Sequence, residues 1–208
     1  GDQFGSLDAT TQTLKPEKFL NHEAGVKMDV RRSLSVTAGV YRLNRTNTRA
    51  VDPNNPAVIV QTGSQRTNGM ELGINGNVTG KWTVAGGYGY QDAYISSATA
   101  AARLGALVAM VPRHTFSMWN NYRILPRLSG GVGLIHQAEM WAGIDNTVLI
   151  PNFTRGDAAV YYSLTEKMRL QANVENVTDR RYVGSAHSNN NLAPGNARTV
   201  RVGMTVRF

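Results

Sequence analysis

The last residues of the chain, ARTVRVGMTVRF (197–208), alternate between apolar and polar side chains. Successive side chains of an extended strand point to opposite faces, so this stretch has one apolar and one polar face. A soluble sheet with one buried face could also satisfy this pattern, so the stretch alone does not decide the surroundings. The apolar face ends on an aromatic residue and consists of Val200, Val202, Met204, Val206 and Phe208.

The same two-residue period recurs in eight earlier segments. It is nearly unbroken in the last of these, where Met168, Leu170, Ala172 and Val174 alternate with polar side chains. Glycines are frequent inside the segments, which disfavours helices and is common where strands bend or approach closely. The pattern predicts an all-β protein, with the first eight strands at 22–30, 33–44, 65–78, 81–92, 114–124, 127–137, 155–164 and 167–177.

Short and long connections alternate along these predicted strands. In an antiparallel meander, this order places every short turn at one edge of the sheet and every long loop at the other. Transmembrane β-barrels of bacterial outer membranes have this asymmetry. The sequence therefore predicts an antiparallel transmembrane β-barrel meander of nine strands. The short turns are RRS, TGK, LPR and TEK, and the long links cover 45–64, 92–113, 138–154 and 178–196.

A soluble β-sandwich is the alternative fold for such a pattern. Sandwich strands average about 5 to 6 residues, whereas these segments approach the roughly 9 to 11 that a tilted strand needs to cross a bilayer. Sandwiches also lack a strict alternation of short and long connections. Strand length and loop order both favour the membrane barrel.

Composition narrows the classes of function. No run of about 18 uncharged apolar residues occurs, so no transmembrane helix is expected. The most apolar window, 100–112, is expected to be a loop with at most one short helix. The net charge is +8, but the arginines are spread over strand ends and turns, so a nucleic-acid partner is not expected. The absence of cysteine excludes disulfides and cysteine-based metal chemistry in this chain.

The number of strands indicates an incomplete barrel. In a nine-stranded meander the first and last strands are parallel, whereas bacterial single-chain barrels have an even number of antiparallel strands. Residues up to about Leu20 fit the tail of a long outer loop, and no secretory signal opens the sequence. The inferred inner face also needs a wide aqueous interior or a polar plug, as in barrels of about 22 strands. That face carries Lys27, Asp29, Glu71, Asn75, Arg169, Asn173, Glu175, Arg201 and Arg207.

Four blocks of the sequence resemble the C-terminal barrel segments of TonB-dependent siderophore receptors. The last block is the most specific, because it combines NVENVTD, an aromatic at Tyr182, Pro-Gly at 194–195 and the terminal Phe208. The resemblance implies that residues 1–208 are the C-terminal part of such a barrel, without the plug domain and the upstream strands. The other blocks are LKPEKFLNHEAGVKMD, VPRHTFSMWNNYRI and the stretch from VDPNNP to YGYQDA.

This resemblance implies a function and a set of partners. The expected function is energy-dependent uptake of ferric siderophores across the bacterial outer membrane, with the siderophore as transported ligand and no cofactor. The TonB complex would act through the absent N-terminal region, while lipid and lipopolysaccharide would contact the barrel. The terminal strand, with Val200, Val202, Met204, Val206 and Phe208, resembles the signal read by the barrel-assembly machinery. An unpaired amphipathic strand suits recognition by strand addition.

Candidate site residues lie in the long connections and near strand ends. No catalytic residue is predicted, and His22, His114, His136 and His187 lack the spacing of a metal site. Aromatic planes and positive charge would suit catecholate or carboxylate-bearing chelates, although ordinary loop packing or contact with lipopolysaccharide phosphates also fits. The candidate ligand-binding residues are Tyr94, Arg103, Trp141, Arg155 and His187.

Two other functions remain open from the sequence. A general diffusion porin would share the strand pattern without a plug, and a soluble carbohydrate-binding β-domain would share the alternation without the membrane. The residues also leave open whether cobalamin or haem replaces the siderophore. Membrane-interface girdling is the expectation for several of the aromatics Trp82, Trp119, Tyr122, Tyr161, Tyr162 and Tyr182.

Overall fold

The computed structural model describes residues 15–52, 54–55, 57–100 and 102–208. Strands are the only regular elements within these ranges. No helix in the described part of the chain is long and apolar enough to cross a membrane. Residues 1–14, which the sequence places in the tail of an outer loop, lie outside the described residues.

Nine long strands form one antiparallel sheet, and two small hairpins project from its connections. The nine strands follow one another in the sheet in chain order, which is the predicted meander. The small hairpins are β7–β8 and β11–β12. The strands are β1 (Lys18–Arg31), β2 (Leu34–Val51), β3 (Ile59–Asn77), β4 (Trp82–Ser97), β5 (His114–Leu125), β6 (Leu128–Gln137), β7 (Met140–Trp141), β8 (Leu149–Ile150), β9 (Phe153–Ser163), β10 (Met168–Glu175), β11 (Val183–Ser188), β12 (Asn191–Pro194) and β13 (Thr199–Val206).

The all-β antiparallel prediction is confirmed, but several strands are longer than the sequence pattern indicates. β1 begins at Lys18, inside the segment assigned to a loop. Most of the interval 45–64 is strand, because β2 continues to Val51 and β3 starts at Ile59. These extensions keep their backbone ladder, as in the pairing of Arg49 with Gln61. Their side chains do not continue the membrane alternation because they pack against the loops: Ala50 and Val60 contact the buried cluster around Ile95.

The window 100–112 contains no helix among its described residues. It folds back along β4 instead, where Leu107 forms an isolated bridge with Tyr94. Apolar side chains of this loop, including Ala102 and Ala106, pack against Ile95 of β4 and Ile144. The window is therefore apolar because it forms a small core, without helical periodicity.

The apolar residues of the strands form one continuous face, here called the outer face. The register aligns them in rows, with Val26 paired to Ala38 and Ala38 paired to Leu72. These large side chains are exposed, with 64% of Val26 and 77% of Val202 accessible. An apolar face of this extent is far larger than a soluble monomer leaves uncovered, so hydrocarbon is the solvent that it fits.

The opposite face, here called the inner face, is predominantly polar. Arg201 and Glu175 form an ion pair across β10 and β13 at 3.0 Å. The aromatic rings on this face lie flat against the wall: Trp119 covers Gly131 and Gly133, where a Cβ atom would overlap the indole. The buried apolar clusters lie among the long connections, and the centre of the inner face has no such cluster in the described part of the chain. The sheet thus has a hydrated interior wall.

Aromatic residues mark the short-turn edge of the outer face. Trp82 pairs with Tyr122, and the Trp82 Nε1 donates a hydrogen bond to Asn120 Oδ1 at 3.2 Å. Tyr162 lies on the same face and is 43% exposed. Amphipathic rings at this position fit a membrane interface. Tyr161 lies on the inner face beneath the guanidinium of Arg169, with 4.4 Å between the guanidinium carbon and the ring centroid.

β1 and β13 are the two edges of the sheet, and each pairs with a single neighbour in the described chain. Because the nine strands alternate in direction, these two edges are parallel. The outer residues of β13 remain accessible, including Val200 at 64% and Met204 at 58%. The backbone groups on the far side of both strands are available for pairing with a further strand.

A charge placed on the outer face should destabilise the protein in a membrane. We expect Val132→Arg to lower the free energy of unfolding by about 2–4 kcal/mol, because its guanidinium would enter hydrocarbon. Urea titration of the protein, expressed from its complete gene and refolded into phosphatidylcholine vesicles, measures this value. The matched control is Gln171→Arg on the inner face, for which we expect a change below about 1 kcal/mol. Equal losses for the two variants would contradict the assignment of the faces.

Candidate functional site

The long connections at one edge of the sheet contact one another and pack into a single layer. The connection 98–113 adds to β4 through four backbone hydrogen bonds, including Ile95 N–H to the Ala106 carbonyl at 2.8 Å and Val108 N–H to the Ala93 carbonyl at 3.0 Å. The other two join Gly105 N–H to the Ile95 carbonyl and Gln91 N–H to the Arg113 carbonyl. This connection is therefore held in place by the barrel wall beneath it.

Asn146 joins the β7–β8 connection to the 98–113 connection. Its amide Oδ1 accepts a hydrogen bond from Leu107 N–H at 2.7 Å, and its Nδ2 donates to the Leu107 carbonyl at 2.9 Å. Asn146 has a φ of 53°, a conformation that asparagine tolerates better than most residues. The Asn146 side chain thus satisfies both backbone groups of Leu107 and connects the two loops. The loops also meet where Met110 N–H donates to the Trp141 carbonyl at 2.8 Å.

Asn189 joins the β11–β12 hairpin to the same layer. Its Nδ2 donates to both carboxylate oxygens of Asp145, at 3.0 and 2.9 Å, and lies 3.0 Å from the Thr147 Oγ1. Burial raises the pKa of Asp145, but hydrogen bonds from Asn189 and Thr147 outweigh it and hold this pKa below the ordinary aspartate value of 3.8. The ionised carboxylate therefore stabilises the contact between the two hairpins.

A pocket of about 450 Å³ opens between β4, the 98–113 connection and the β7–β8 hairpin. Its wall combines an indole ring, a guanidinium group and a carboxylate with apolar side chains. Gln91 closes part of the wall by donating to the Pro112 carbonyl at 3.2 Å. Such a wall can take up a flat, anionic ligand through stacking and positive charge. The residues that give these properties are Trp141, Arg113, Glu139, His114, Leu107 and Leu149.

A second polar cluster lies at the start of β9. Arg155 donates to the Tyr182 hydroxyl at 3.0 Å and to Asp157 at 3.1 Å, while the Tyr182 ring stacks on Phe153 with centroids 4.1 Å apart. The other Asp157 oxygen accepts from the N–H of Asn176 at 2.8 Å. The Arg155 Nε is buried without a hydrogen-bond partner among the described residues. The contacts with Tyr182 and Asp157 therefore hold this guanidinium in a largely enclosed position.

Asn176, in the NVENVTD block, organises the turn that carries Tyr182. It is fully buried, and its side chain bonds to the backbone of Arg180 and Asn196 at 2.8 to 3.0 Å. Its φ of 54° lies in the left-handed region. This asparagine has a structural role that fixes the position of Tyr182 against Arg155.

The five predicted ligand residues occupy different parts of this edge. Trp141 lines the pocket, whereas Arg155 lies in the polar cluster with 16% of its side chain exposed. Tyr94 lies in β4 and forms a bridge with Leu107. Its side chain is on the outer face, together with those of Tyr88 and Tyr90. Arg103 and His187 are exposed on separate connections. The structure therefore does not gather the five into one cluster.

Sequence reasoning missed the residues that assemble the layer. Arg113 follows Pro112 directly before β5, where a strand-end position could have indicated it. Asn146 and Asn189 carry no such signal, since their partners lie 39 and 44 residues away in the chain. The histidines do not cluster: no group of three or more potential metal ligands occurs in the described ranges. His114 instead contacts the Tyr88 hydroxyl at 2.8 Å.

A protein-family model described as "TonB dependent receptor-like, beta-barrel" matches residues 1–177. The chain belongs to this family of TonB-dependent receptors. It is a family of receptors and transporters rather than of enzymes, and its members interact with TonB. Its members are outer-membrane β-barrel proteins, which places the chain in the outer membrane. The general porin and the soluble carbohydrate-binding domain are therefore not supported.

Curated relatives and solved structures agree with this assignment. The probable TonB-dependent siderophore receptor PiuA of Acinetobacter baumannii is 28% identical over 100% of this chain and 29% of its own length. The catecholate siderophore receptor Fiu of Escherichia coli K12 is 32% identical over 99% of this chain and 28% of its own length. The crystal structure of PiuA aligns with 96% of this chain and 30% of the PiuA chain, at 27% identity and a TM-score of 0.82. The crystal structure of the closed form of Fiu aligns with 98% of this chain and 30% of the Fiu chain, at 29% identity and a TM-score of 0.80.

Acidification should loosen the joined hairpins. Because the folded pKa of Asp145 is depressed, its contribution to stability is complete above the unfolded value of about 3.9 and is lost as pH falls through the folded pKa. We expect amide hydrogen exchange in 140–150 and 183–194, after correction for intrinsic rates, to accelerate as the pH falls below about 4. In Asn189→Ala these segments should exchange faster at neutral pH and respond less to acid. The same acid response in both proteins would refute the role of this pair.

Proposed function

We propose that the complete protein is an outer-membrane receptor for energy-dependent uptake of ferric siderophores, a form of ion transport that supplies iron. The observation that carries this proposal is the pocket that the long connections form around Trp141 and Arg113. It lies at the loop edge of the barrel wall, where an external ligand would arrive. Two relatives that match nearly the whole chain are named as siderophore receptors, one of them specifically for catecholates, and this supports the same class of ligand.

We infer that residues 1–208 are the C-terminal part of the barrel of this receptor. The chain spans about 28–29% of the length of the two relatives named above. The parallel edges β1 and β13 support this inference, because neither can close an antiparallel barrel with the other. Further strands would then complete the wall, and a plug domain would fill the interior against the polar inner face.

The ligand would be bound as a preformed iron chelate, without a protein-bound metal or another cofactor. Trp141 offers an aromatic plane to a catecholate, and Arg113 offers the guanidinium donors that its ion pair with Asp92 leaves unused. Arg155, with 16% of its side chain exposed and held by Tyr182 and Asp157, would add positive charge at the start of β9. Arg103 and His187, which are both exposed on connections, remain proposed contacts of the wider entrance. Tyr94 is not retained as a contact, because it lies on the outer face in register with Arg66.

The partners follow from the edges and surfaces of the sheet. The TonB complex would act through a region outside this chain. The accessible edge strand β13, with Val200, Val202, Met204 and Val206, and the exposed Phe208 two residues beyond its end support recognition by the barrel-assembly machinery through strand addition. Membrane lipid would cover the outer face, and lipopolysaccharide would contact it on the loop side.

Iron uptake tests this function directly. Cells that express the complete gene in place of their own receptors are given a ⁵⁵Fe-labelled catecholate chelate. We expect saturable uptake that stops when the proton-motive force is collapsed. Trp141→Leu should raise the half-saturating concentration roughly tenfold, because it removes the stacking plane of the pocket.

The matched control is Trp82→Leu, which makes the same change on the outer face near the short turns. It should leave the half-saturating concentration within about twofold of the parent value. Uptake that continues without the proton-motive force would contradict a TonB-dependent mechanism. Equal effects of the two tryptophan substitutions would contradict the assignment of the pocket.

A further inference from the structure

Two copies of an Arg-x-Asn sequence face each other on the outer face of β2 and β3. The first is Arg42-Leu43-Asn44 and the second is Arg66-Thr67-Asn68. Because the strands are antiparallel, each arginine is paired in register with the asparagine of the other strand. The Arg42 Nε donates to Asn68 Oδ1 at 2.9 Å, and the Arg66 Nε donates to Asn44 Oδ1 at 2.9 Å. We call these four residues the Arg–Asn square.

The square orients its two positive charges without neutralising them. Each guanidinium is held through Nε by a neutral amide, so its two Nη groups face away from that contact. No ion pair to Arg42 or Arg66 occurs within the described ranges. The neighbouring acid on β4 is Asp92, which is paired in register with Asn68. Asp92 already forms an ion pair with Arg113 at 3.0 Å. The charge of the square is therefore uncompensated by the protein.

The square lies directly above the apolar part of the outer face. The next pair towards the short turns is Val40 and Met70, which are 55% and 36% exposed. Two residues along a strand correspond to roughly 7 Å, so the guanidinium groups lie at the depth of lipid headgroups when Val40 and Met70 contact acyl chains. Arg42 is exposed, and Arg66 is partly exposed.

The geometry points to a binding site for lipid phosphate groups: we infer that the Arg–Asn square holds the phosphates of an anionic lipid in the outer leaflet. Arginine binds phosphate through two parallel N–H donors, and here both Nη groups of each side chain are available. Arg42 and Arg66 are diagonal neighbours, with roughly 7–8 Å between their Cα atoms, so both can reach one phosphorylated headgroup. This inference rests on the proposed function for the membrane placement and not for the transported ligand.

Lipid binding to the purified protein tests the inference. The protein, expressed from its complete gene and purified in a non-ionic detergent, is titrated with bis-phosphorylated lipid A, and retained lipid is counted by native mass spectrometry. We expect one or more lipid A molecules to stay bound. The double variant Arg42→Gln and Arg66→Gln should bind about 30-fold more weakly, since an arginine near an anionic lipid surface contributes roughly fivefold.

Two control variants distinguish a specific phosphate-binding site from non-specific electrostatic attraction of the lipid. Arg32→Gln with Arg127→Gln makes the same change of charge in two short turns, at the opposite edge of the outer face, and should leave lipid A affinity unchanged. Asn44→Ala with Asn68→Ala keeps both charges but frees the guanidinium groups, and should weaken binding severalfold. Heat-modified migration in electrophoresis establishes that each variant is folded. Equal binding by the parent and the arginine double variant would overturn the inference.

Two further binding experiments test whether the bound phosphate belongs to a lipid or is free in solution. Dephosphorylated lipid A should not be retained, and millimolar inorganic phosphate should not displace lipid A from the parent protein. Retention of the dephosphorylated lipid, or displacement by free phosphate, would overturn a lipid-phosphate site. Uptake of the ⁵⁵Fe chelate should persist in the arginine double variant, so failure of the lipid site and failure of the transport function give different results.

Discussion

Hydrocarbon offers no hydrogen-bonding partner to a peptide group, and this constraint determines how the sheet is built. Every backbone group that enters the membrane must pair with a neighbouring strand, which requires a continuous ladder. The ladder also fixes the register, and a shift of one residue would move the apolar side chains of a strand to the other face. The rows from Val26 through Ala38 to Leu72, and from Val202 to Ala172, are the result.

The same ladder continues beyond the membrane and supports the functional edge. β2 and β3 extend past their apolar residues, and β4 provides the backbone groups to which the 98–113 connection binds. Asn146 and Asn189 then join the remaining loops to that connection. The barrel wall and a few amide side chains thus form a pocket from an irregular connection and a short hairpin, which suits a receptor that has to present a defined surface.

The nine strands could be predicted from the sequence, because apolar and polar side chains must alternate along a membrane strand. They do so almost without interruption from Met168 to Val174. The sequence was not sufficient for the extensions of β2 and β3, as at Ala50 and Val60, since these residues pack against the loop core around Ile95 and not against lipid. Trp141 was predicted from its chemistry alone and lies in the pocket. Asn146 and Asn189 were not predictable, because their contacts depend on loops that meet only after the sheet has formed.

The central claim is that lipid covers the face of Val36, Ala38 and Val40, while water covers the face of Ser35 and Thr37. Single spin labels placed at each residue from 35 to 40, in a cysteine-free protein embedded in a bilayer, measure this directly through collisions with oxygen and with a water-soluble nickel chelate. We predict that oxygen collisions peak at the even positions and nickel collisions at the odd ones. Uniform values along β2, or nickel collisions that peak at the even positions, would contradict the account.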